Sequence, residues 1–406
     1  MQRMTIFALG VFALAIPTLA ELVDLLDLQD GDVVPGKYIV SLKPGVDIKV
    51  HLDWVLGVHQ RSLSRRHTIG LEKTYGFGDF SGYSGEFDDG TIAQILANAN
   101  VLAVEQDKVA RLTSVTKETN APWGLESLSS HSPLANGDIQ GHTYSYDSTA
   151  GAGTFAYVLD SGVLTNNSEF SGRAIKGYNT WADTESFDDH FGHGTHVSGT
   201  IASNTYGVAK KATIVDVKVV RGPGYSTVAH VIDGINWVVN NATGTPGRAA
   251  KSVINMSLAF TPSKALNRAV DAASAMGILS VVAAGNDNAP ASSRSPASAS
   301  SALTVGAISW NRTRASFSNY GSCVDVFAPG VDIISLWNKE GRESIESGTS
   351  MSSPHVAGLA LYLKGLEDGL DSPADTIARV KELATSGVVV GAGSGSPNLL
   401  AYNGIA

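Results

Sequence analysis

Asp160, His193 and Ser350 are the three residues of this sequence whose types and surroundings suit nucleophilic chemistry. Asp160 follows the apolar run 154–159, and His193 lies between two glycines in the segment 190–200. A serine hydroxyl attacks a carbonyl carbon when a neutral imidazole takes its proton and a carboxylate orients that imidazole. The chain order Asp, His, Ser is one of those in which such triads occur. Together the three predict acyl transfer, with Ser350 as nucleophile, His193 as general base and acid, and Asp160 as orienting acid.

Ser350 stands at the beginning of a predicted helix. The segment 347–353 is rich in Gly, Ser and Thr, and residues 356–363 then have the apolar spacing of one buried helix face. A serine at a helix start has free backbone N–H groups and the positive end of the helix dipole beside it, which suits the oxyanion formed by its attack. A helix-capping serine is the simpler alternative. The motifs at Asp160 and His193 favour the nucleophile.

Asp160 and His193 each allow a second interpretation. Asp160-Ser-Gly162 is also the motif of one half of an aspartic protease, but that enzyme needs two such motifs in a mostly β chain, and the sequence has one. His193 and His196 are spaced as zinc ligands can be, but no His-Glu-x-x-His motif or third ligand of comparable quality accompanies them. We therefore expect His196 to be a packed histidine behind the catalytic one.

Asn286 is the candidate for a fourth catalytic group. It follows the buried strand pattern 281–285, and asparagine is usually a turn residue in such a place. Its side-chain amide can instead donate to an oxyanion, together with the backbone N–H of Ser350. Two further segments, 222–224 and 257–259, predict free backbone edges to which an extended peptide can add as a strand.

The composition is that of a large globular chain. Its 406 residues are 43% hydrophobic and 17% charged, which gives ample core for more than one domain. The net charge of −9, without a basic run, gives little support to nucleic-acid binding. Residues 1–20 have the pattern of a secretory signal peptide, and no later stretch is long and apolar enough for a membrane anchor. With Cys323 as the only cysteine, no intramolecular disulfide can form, and we expect a secreted, soluble monomer.

A polar connector divides the chain. Strand and helix patterns in residues 21–115 predict a small α+β unit, at 37–42, 48–64, 82–87, 91–99 and 101–112. The segment 113–120 lacks hydrophobic periodicity, and we place the domain boundary and a cleavage site there. The expected organisation is therefore a signal peptide at 1–20, a removable unit at 21–115 and the main domain at 116–406.

From Ala121 onward, strand patterns alternate with helix patterns. The buried strand patterns are 154–159, 213–220, 252–257 and 278–283, and the helical ones are 227–240 and 263–276. This alternation is typical of an α/β fold with a mostly parallel sheet covered by helices on both faces. Functional residues of such sheets lie at the carboxyl ends of the strands and in the loops that follow.

The chain resembles the subtilisin-like serine proteases, and among them the secreted fungal proteinase K group. The resemblance extends over nearly the whole chain. It is carried by short motifs at 121–125, 158–163, 192–200, 283–286, 315–321, 327–330, 348–351, 354–358 and 398–403. Residues 38–45 and 103–107 resemble the family's inhibitory propeptide, which implies a ferredoxin-like fold for that unit, assistance in folding and autocatalytic removal.

The resemblance also implies a set of binding residues. Peptide and protein substrates would lie in a cleft lined by Gly222, Tyr225, Ser257, Leu258, Ala259, Ala283 and Gly285. Tyr225 would cover the pocket for the fourth residue before the scissile bond. A structural calcium ion would be held by Asp325 and the carbonyl oxygens of Ser300 and Ala302, and no catalytic cofactor is implied.

Some features depart from the resemblance. Ser257-Leu-Ala-Phe260 stands where the group usually has Ser-Leu-Gly-Gly, and the usual disulfides are absent. We expect broad specificity with a preference for apolar or aromatic residues before the scissile bond. The alternatives are a catalytically silent binding protein, against which the intact triad argues, and an esterase, which lacks its Gly-x-Ser-x-Gly motif here. Glycosylation is expected at Asn166, Asn241 and Asn311, but not at Asn255 in its apolar strand.

Overall fold

This computed structural model describes residues 33–62, 68–108, 115–222 and 224–405. The chain forms two compact units, Met1–Arg111 and Leu112–Ala406. The predicted signal peptide lies outside the described residues. None of the described helices is long and apolar enough to cross a membrane.

The first unit is an antiparallel sheet with two helices. Its elements are β1 (Val33–Leu42), α1 (Ile48–Arg61), β2 (Gly70–Phe77), β3 (Phe80–Glu86), α2 (Asp89–Leu96) and β4 (Val101–Lys108). The strands lie in the order β2-β3-β1-β4, which is the predicted ferredoxin-like arrangement. Val40, Tyr83 and Val104 of the sheet are buried in one cluster with Val55 and Ile95 of the helices. The sequence patterns missed β2, because most of its side chains are exposed and so leave no apolar alternation.

The second unit begins with a strand, and helices and strands alternate in its central part. Its elements are β5 (Val115–Ala121), α3 (Trp123–Ser129), β6 (His142–Asp147), β7 (Phe155–Asp160), β8 (Ala174–Asn179), α4 (His193–Ala202), β9 (Thr213–Lys218), α5 (Val228–Thr243), β10 (Ser252–Met256), α6 (Lys264–Ala275), β11 (Leu279–Ala283), β12 (Leu303–Ile308), β13 (Val326–Pro329), β14 (Ile333–Leu336), β15 (Glu343–Glu346), α7 (Thr349–Leu366), α8 (Pro373–Leu383), β16 (Thr385–Ser386) and β17 (Leu399–Leu400).

The main sheet of this unit runs in the order β16-β17-β13-β12-β11-β10-β7-β9-β8. Its pairs are parallel except for β16 with β17. One cluster of buried side chains includes Val197 of α4 and Val356 of α7, and another includes Val231 of α5 and Val270 of α6. Every residue of β10 and β11 is buried, as expected for strands with helices on both faces. The predicted fold class is confirmed.

The polar connector predicted at 113–120 is wrong for most of its length. β5 pairs with β6 in an antiparallel ribbon, with Lys117 opposite Ser145. Its side chains are mostly exposed and polar, so the strand depends on backbone hydrogen bonds and gives no hydrophobic periodicity. Residues 109–114 lie outside the described part of the chain, and the cleavage position stays a prediction.

Candidate active site

Asp160 is the last residue of β7, and His193 is the first residue of α4. Nδ1 of His193 is 2.8 Å from Oδ1 and 2.9 Å from Oδ2 of Asp160. A carboxylate accepts, so Nδ1 carries the proton and Nε2 keeps its lone pair for a substrate or nucleophile. Burial disfavours the imidazolium, but the charge and hydrogen bond of Asp160 outweigh it and raise the pKa of His193 above its ordinary value. The pair can therefore accept a proton at Nε2 and hold the resulting positive charge.

Asp189 fixes the start of the helix that carries His193. Its buried carboxylate accepts from the backbone N–H of Gly192 at 2.7 Å and of Thr195 at 3.0 Å, and from the hydroxyl of Thr195 at 2.6 Å. It also accepts from the hydroxyl of Ser161, the residue after Asp160, at 2.8 Å. Asp189 is not among the residues predicted from the sequence. The available signal was an acidic residue just before a helix start, where the dipole favours negative charge.

An ion pair between the buried carboxylate of Asp216 and a more exposed lysine lies behind the loop that follows Asp160. Oδ2 of Asp216 accepts from the Val163 N–H at 3.0 Å and from Lys176 Nζ at 3.0 Å. The same Nζ donates to the carbonyl oxygens of Val163 at 2.7 Å and Phe187 at 2.8 Å. Oδ1 of Asp216 is buried without a hydrogen-bond partner in the described part of the chain. Burial raises the pKa of Asp216 to about 7, although Lys176 opposes this.

Ser350 is the second residue of α7. Its hydroxyl donates to the Ser257 carbonyl oxygen at 3.2 Å, and among the described residues no hydrogen bond joins it to His193. Proton transfer from the Ser350 hydroxyl to Nε2 of His193 would therefore require rotation about the Cα–Cβ bond of Ser350. This starting geometry is compatible with catalysis, because catalytic hydrogen bonds often form only in the substrate complex.

The first turn of α7 lacks one helical hydrogen bond because of Pro354. Proline has no N–H, so the carbonyl oxygen of Ser350, four residues earlier, has no helical donor. The hydroxyl of Ser257 donates to that oxygen at 2.8 Å. Ser353 and Asn255 extend this buried polar cluster beneath the nucleophile.

The amide of Asn286 is oriented by Thr349. Its Oδ1 accepts from the backbone N–H of Thr349 at 2.9 Å and from its hydroxyl at 2.8 Å, which leaves Nδ2 free to donate elsewhere. A Cβ placed on Gly348 would lie 3.4 Å from Nδ2 of Asn286 and 3.6 Å from the Ser350 nitrogen. The side-chain amide of Asn286 and the backbone N–H of Ser350 therefore lie near one point, where both could donate to an oxyanion. Thr349 was missed in the sequence because its role depends on a distant loop.

The predicted cleft residues lie in three loops. Arg221 and Tyr225 pair with each other across a tight turn, and the Gly222 N–H donates to Glu185 at 3.3 Å, so this edge is partly occupied. Leu258 and Ala259 follow β10. Neither makes a backbone hydrogen bond within the described ranges, so this edge is open to a peptide.

The remaining predicted cleft residues lie at and after the end of β11, where Ala283 is buried. Gly285 has φ +101°, and a Cβ there would meet the side-chain amide of Asn319, so only glycine fits.

His196 is fully buried. Its Nε2 donates to the Ile333 carbonyl oxygen at 3.0 Å, and burial together with the charge of His193 lowers the pKa of His196 to about 4. No group of three or more His, Cys, Asp or Glu side chains within the described ranges is arranged to hold a metal ion.

The predicted calcium residues flank β12 and β13. Asp325 accepts from the Thr304 N–H at 3.0 Å and from Lys381 Nζ at 3.1 Å. Ser300 and Ala302 precede β12, two to four residues before Thr304. A carboxylate with backbone carbonyls suits a hard cation. The carboxylate of Asp325, however, already forms an ion pair with the ammonium of Lys381.

The predicted glycosylation residues differ in exposure. Asn166 and Asn311 are exposed. Asn241 is half-buried, and its Oδ1 accepts from the Tyr157 hydroxyl at 2.7 Å. Asn255 is fully buried within β10.

Comparisons with known proteins agree with this geometry. The subtilase family profile matches residues 151–395, and the peptidase inhibitor I9 profile matches residues 37–113. Alkaline protease 1 of Aspergillus oryzae is 50% identical over 91% of this chain and 92% of its own, and subtilisin-like proteinase Mp1 of Magnaporthiopsis poae is 46% identical over 97% of both. The crystal structure of a cold adapted subtilisin-like serine proteinase is 40% identical, has a TM-score of 0.63, and covers 70% of this chain and 99% of that one. The chain therefore belongs to the subtilase family of serine endopeptidases and has an inhibitor-type propeptide domain.

Proposed function

We propose that the chain is a secreted endopeptidase that cleaves peptide bonds through an acyl-enzyme on Ser350. The observation that carries the proposal is the pair of short contacts between His193 and the buried carboxylate of Asp160. The start of α7 beside Asn286 supports it further, because that helix end supplies the dipole and the N–H groups that an oxyanion needs.

The proposed reaction begins when Ser350 rotates toward His193. Nε2 takes the hydroxyl proton while Oγ bonds to the scissile carbonyl carbon, and Asp160 stabilises the imidazolium. The carbonyl oxygen becomes an oxyanion that accepts from Asn286 Nδ2 and the Ser350 N–H. His193 then gives its proton to the leaving amine as the C–N bond breaks. Water repeats the sequence on the ester and restores the serine.

The substrate would bind as an extended strand. Leu258 and Ala259 offer unpaired backbone groups to one side of the peptide. The turn from Gly222 to Tyr225 would offer the other side. Phe260, half-buried next to this edge, pairs with Ser295 in backbone hydrogen bonds of 2.8 and 3.1 Å. We infer broad specificity with a preference for apolar or aromatic residues before the scissile bond.

Covalent labelling tests the nucleophile directly. A fluorophosphonate probe should label the native protein and fail to label Ser350→Ala, and only the native protein should digest casein. Ser347→Ala, three residues earlier in the same segment, is the matched control and should keep labelling and activity. A native protein that neither reacts nor digests casein would instead support a silent binding protein.

Maturation follows from the same chemistry. We propose that residues 1–20 direct secretion and that the I9-type unit inhibits the enzyme until it is cut off autocatalytically. Purified Ser350→Ala should then remain a single unprocessed chain, whereas the native protein yields two. Normal processing of the purified variant, without another protease present, would exclude self-cleavage.

A structural calcium ion beside Asp325 is a separate proposal. The ion would have to displace Lys381 from the carboxylate and recruit carbonyl oxygens of Ser300 and Ala302. Titration calorimetry should therefore find tighter calcium binding in Lys381→Met and none in Asp325→Ala. Absence of calcium binding in both the native protein and Lys381→Met would reject the site.

Glycan attachment is also proposed, with Asn166 and Asn311 favoured over Asn241 by their exposure. Peptide mass mapping of the secreted protein, with and without a glycan-removing enzyme, tests each position.

A further inference from the structure

A continuous surface leads from the catalytic histidine to an arginine that no role above explains. Phe191 is 43% exposed, and its ring centroid lies 6.4 Å from that of His193. A Cβ placed on Gly224 would lie 3.4 Å from the Phe191 ring, so the turn that ends at Tyr225 packs directly against it. Tyr225 is 52% exposed. We call this surface, made of Phe191, Tyr225 and Arg221, the aromatic strip.

Arg221 is held in place by aromatic rings. Its guanidinium carbon lies 4.6 Å from the ring centroid of Trp181 and 5.2 Å from that of Tyr225. Trp181 is itself fixed, because its Nε1 donates to the Val219 carbonyl oxygen at 2.8 Å and the ring of His230 stacks on it. A guanidinium that lies on aromatic faces keeps its N–H edges available for an acceptor.

No acceptor in the described part of the chain uses those edges. Arg221 forms neither an ion pair nor a side-chain hydrogen bond there. Glu185, the carboxylate nearest along this turn, instead accepts from the Gly222 N–H and lies 3.5 Å from the ammonium of Lys218. The guanidinium of Arg221 is thus held in place by aromatic rings and has no anionic partner in the described part of the chain. The protein as a whole has a net charge of −9.

The dimensions of an extended peptide indicate which substrate residue meets this cation. A strand advances about 3.3 Å per residue, and alternate side chains share a face. If the peptide runs along this strip, the 6.4 Å between the rings of His193 and Phe191 spans about two residues, and Phe191 would lie beside the second residue before the scissile bond. Arg221 contacts Tyr225, the other ring of this strip, with its guanidinium carbon 5.2 Å from that ring centroid. The next side chain on that face is the fourth.

We propose that Arg221 is a specificity-determining residue that selects substrates with Asp or Glu at the fourth position before the scissile bond. The guanidinium would receive the carboxylate in two parallel N–H to oxygen hydrogen bonds. This inference rests on the proposed endopeptidase function and adds an acidic substrate class to it. The third position projects to the opposite face and should not sense Arg221.

Matched peptides test the proposal with the complete secreted enzyme. Internally quenched substrates that differ only by Glu or Gln at the fourth position should differ in kcat/KM by roughly fivefold in favour of Glu, the ratio expected for about 1 kcal/mol of partly exposed ion pairing. Added salt should reduce this ratio because it screens exposed charges. The same exchange at the third position is the control and should change nothing.

Variants separate this proposal from the function on which it rests. Arg221→Met keeps the length of the side chain and should bring the Glu to Gln ratio to about one. Arg221→Lys should keep part of the preference. An equal ratio in the native enzyme and Arg221→Met overturns the specificity role but leaves the endopeptidase standing. Failure of the native enzyme to cleave any of the peptides refutes both.

Discussion

Asp216→Asn should gain stability relative to the native chain as the pH rises from about 4 to 8, although it removes an ion pair. The native carboxylate is buried, pairs with Lys176 through one oxygen and leaves the other without a partner in the described part of the chain. The amide oxygen of the substituted side chain would still accept from the Val163 N–H. Lys176 is partly exposed and can take water in place of the lost charge.

The size of the effect follows from the pKa of Asp216, which burial raises from 3.8 to about 7. The folded state thus binds this proton more tightly than the unfolded state, so native stability falls as pH rises from about 4 to 7 and then levels off. At 1.36 kcal/mol per pH unit, the fall is about 4 kcal/mol. The amide does not titrate, so the stability of the variant relative to the native chain should rise by that amount over the same range.

Urea unfolding of both chains, in a Ser350→Ala background that prevents autolysis, measures this difference at several pH values between about 4 and 8, the window in which the raised pKa acts. Asp183→Asn removes an exposed carboxylate and is the matched control for the loss of a negative charge. A stability difference that stays constant across the range, or that favours the native chain increasingly at high pH, would refute the reasoning.

Four further predictions concern catalysis and the proposed ion. Asn286→Leu should lower kcat roughly 10²–10³-fold with little change in KM, the loss typical of one oxyanion donor in proteases of this family; a larger effect on KM would assign Asn286 to ground-state binding. Thr349→Val removes one of the two hydrogen bonds that orient Asn286 and should lower kcat about tenfold, with recovery in Thr349→Ser; an equal loss in both variants would contradict the orienting role. Because Asp160 raises the pKa of His193, the acid limb of the kcat/KM profile should lie above 6.5, and a limb below that value would show that burial dominates. EDTA should shorten the half-life at high temperature without an immediate loss of activity, and Asp325→Ala should do the same without EDTA; equal half-lives in protein verified as calcium-free would exclude a stabilising ion.

The residues predicted from the sequence are those whose immediate neighbours along the chain indicate their role. Asp160 ends a run of apolar residues, and Ser350 follows small residues at a helix start, so each could be recognised from its neighbours. Thr349 and Asp189 act through contacts that the fold creates, with the loop of Asn286 and with the hydroxyl of Ser161. Such contacts leave no periodic pattern of residue types in the sequence.

Ion pairs between distant residues and exposed strands are equally hard to predict from the sequence. Asp325 could be recognised as a possible ligand, but its partner Lys381 is 56 residues away, and nothing in the sequence joins them. The strands β7, β9, β10 and β11 could be predicted to within a few residues because burial on both faces makes them continuously apolar. The strands β2 and β5 could not, because exposed strands held by backbone hydrogen bonds have no compositional signature.

The missing N–H of Pro354 has a mechanical consequence. In an uninterrupted helix, the carbonyl of Ser350 would be held by its own helix, and the nucleophile would move with that rigid rod. Here the hydroxyl of Ser257 holds that carbonyl, while the Ser350 hydroxyl rests on the Ser257 backbone. The position of the Ser350 hydroxyl is thus set by the end of β10, next to the edge at which we propose that the peptide binds. We therefore expect the position of Ser350 relative to that edge to be less sensitive to small displacements of α7 against the sheet.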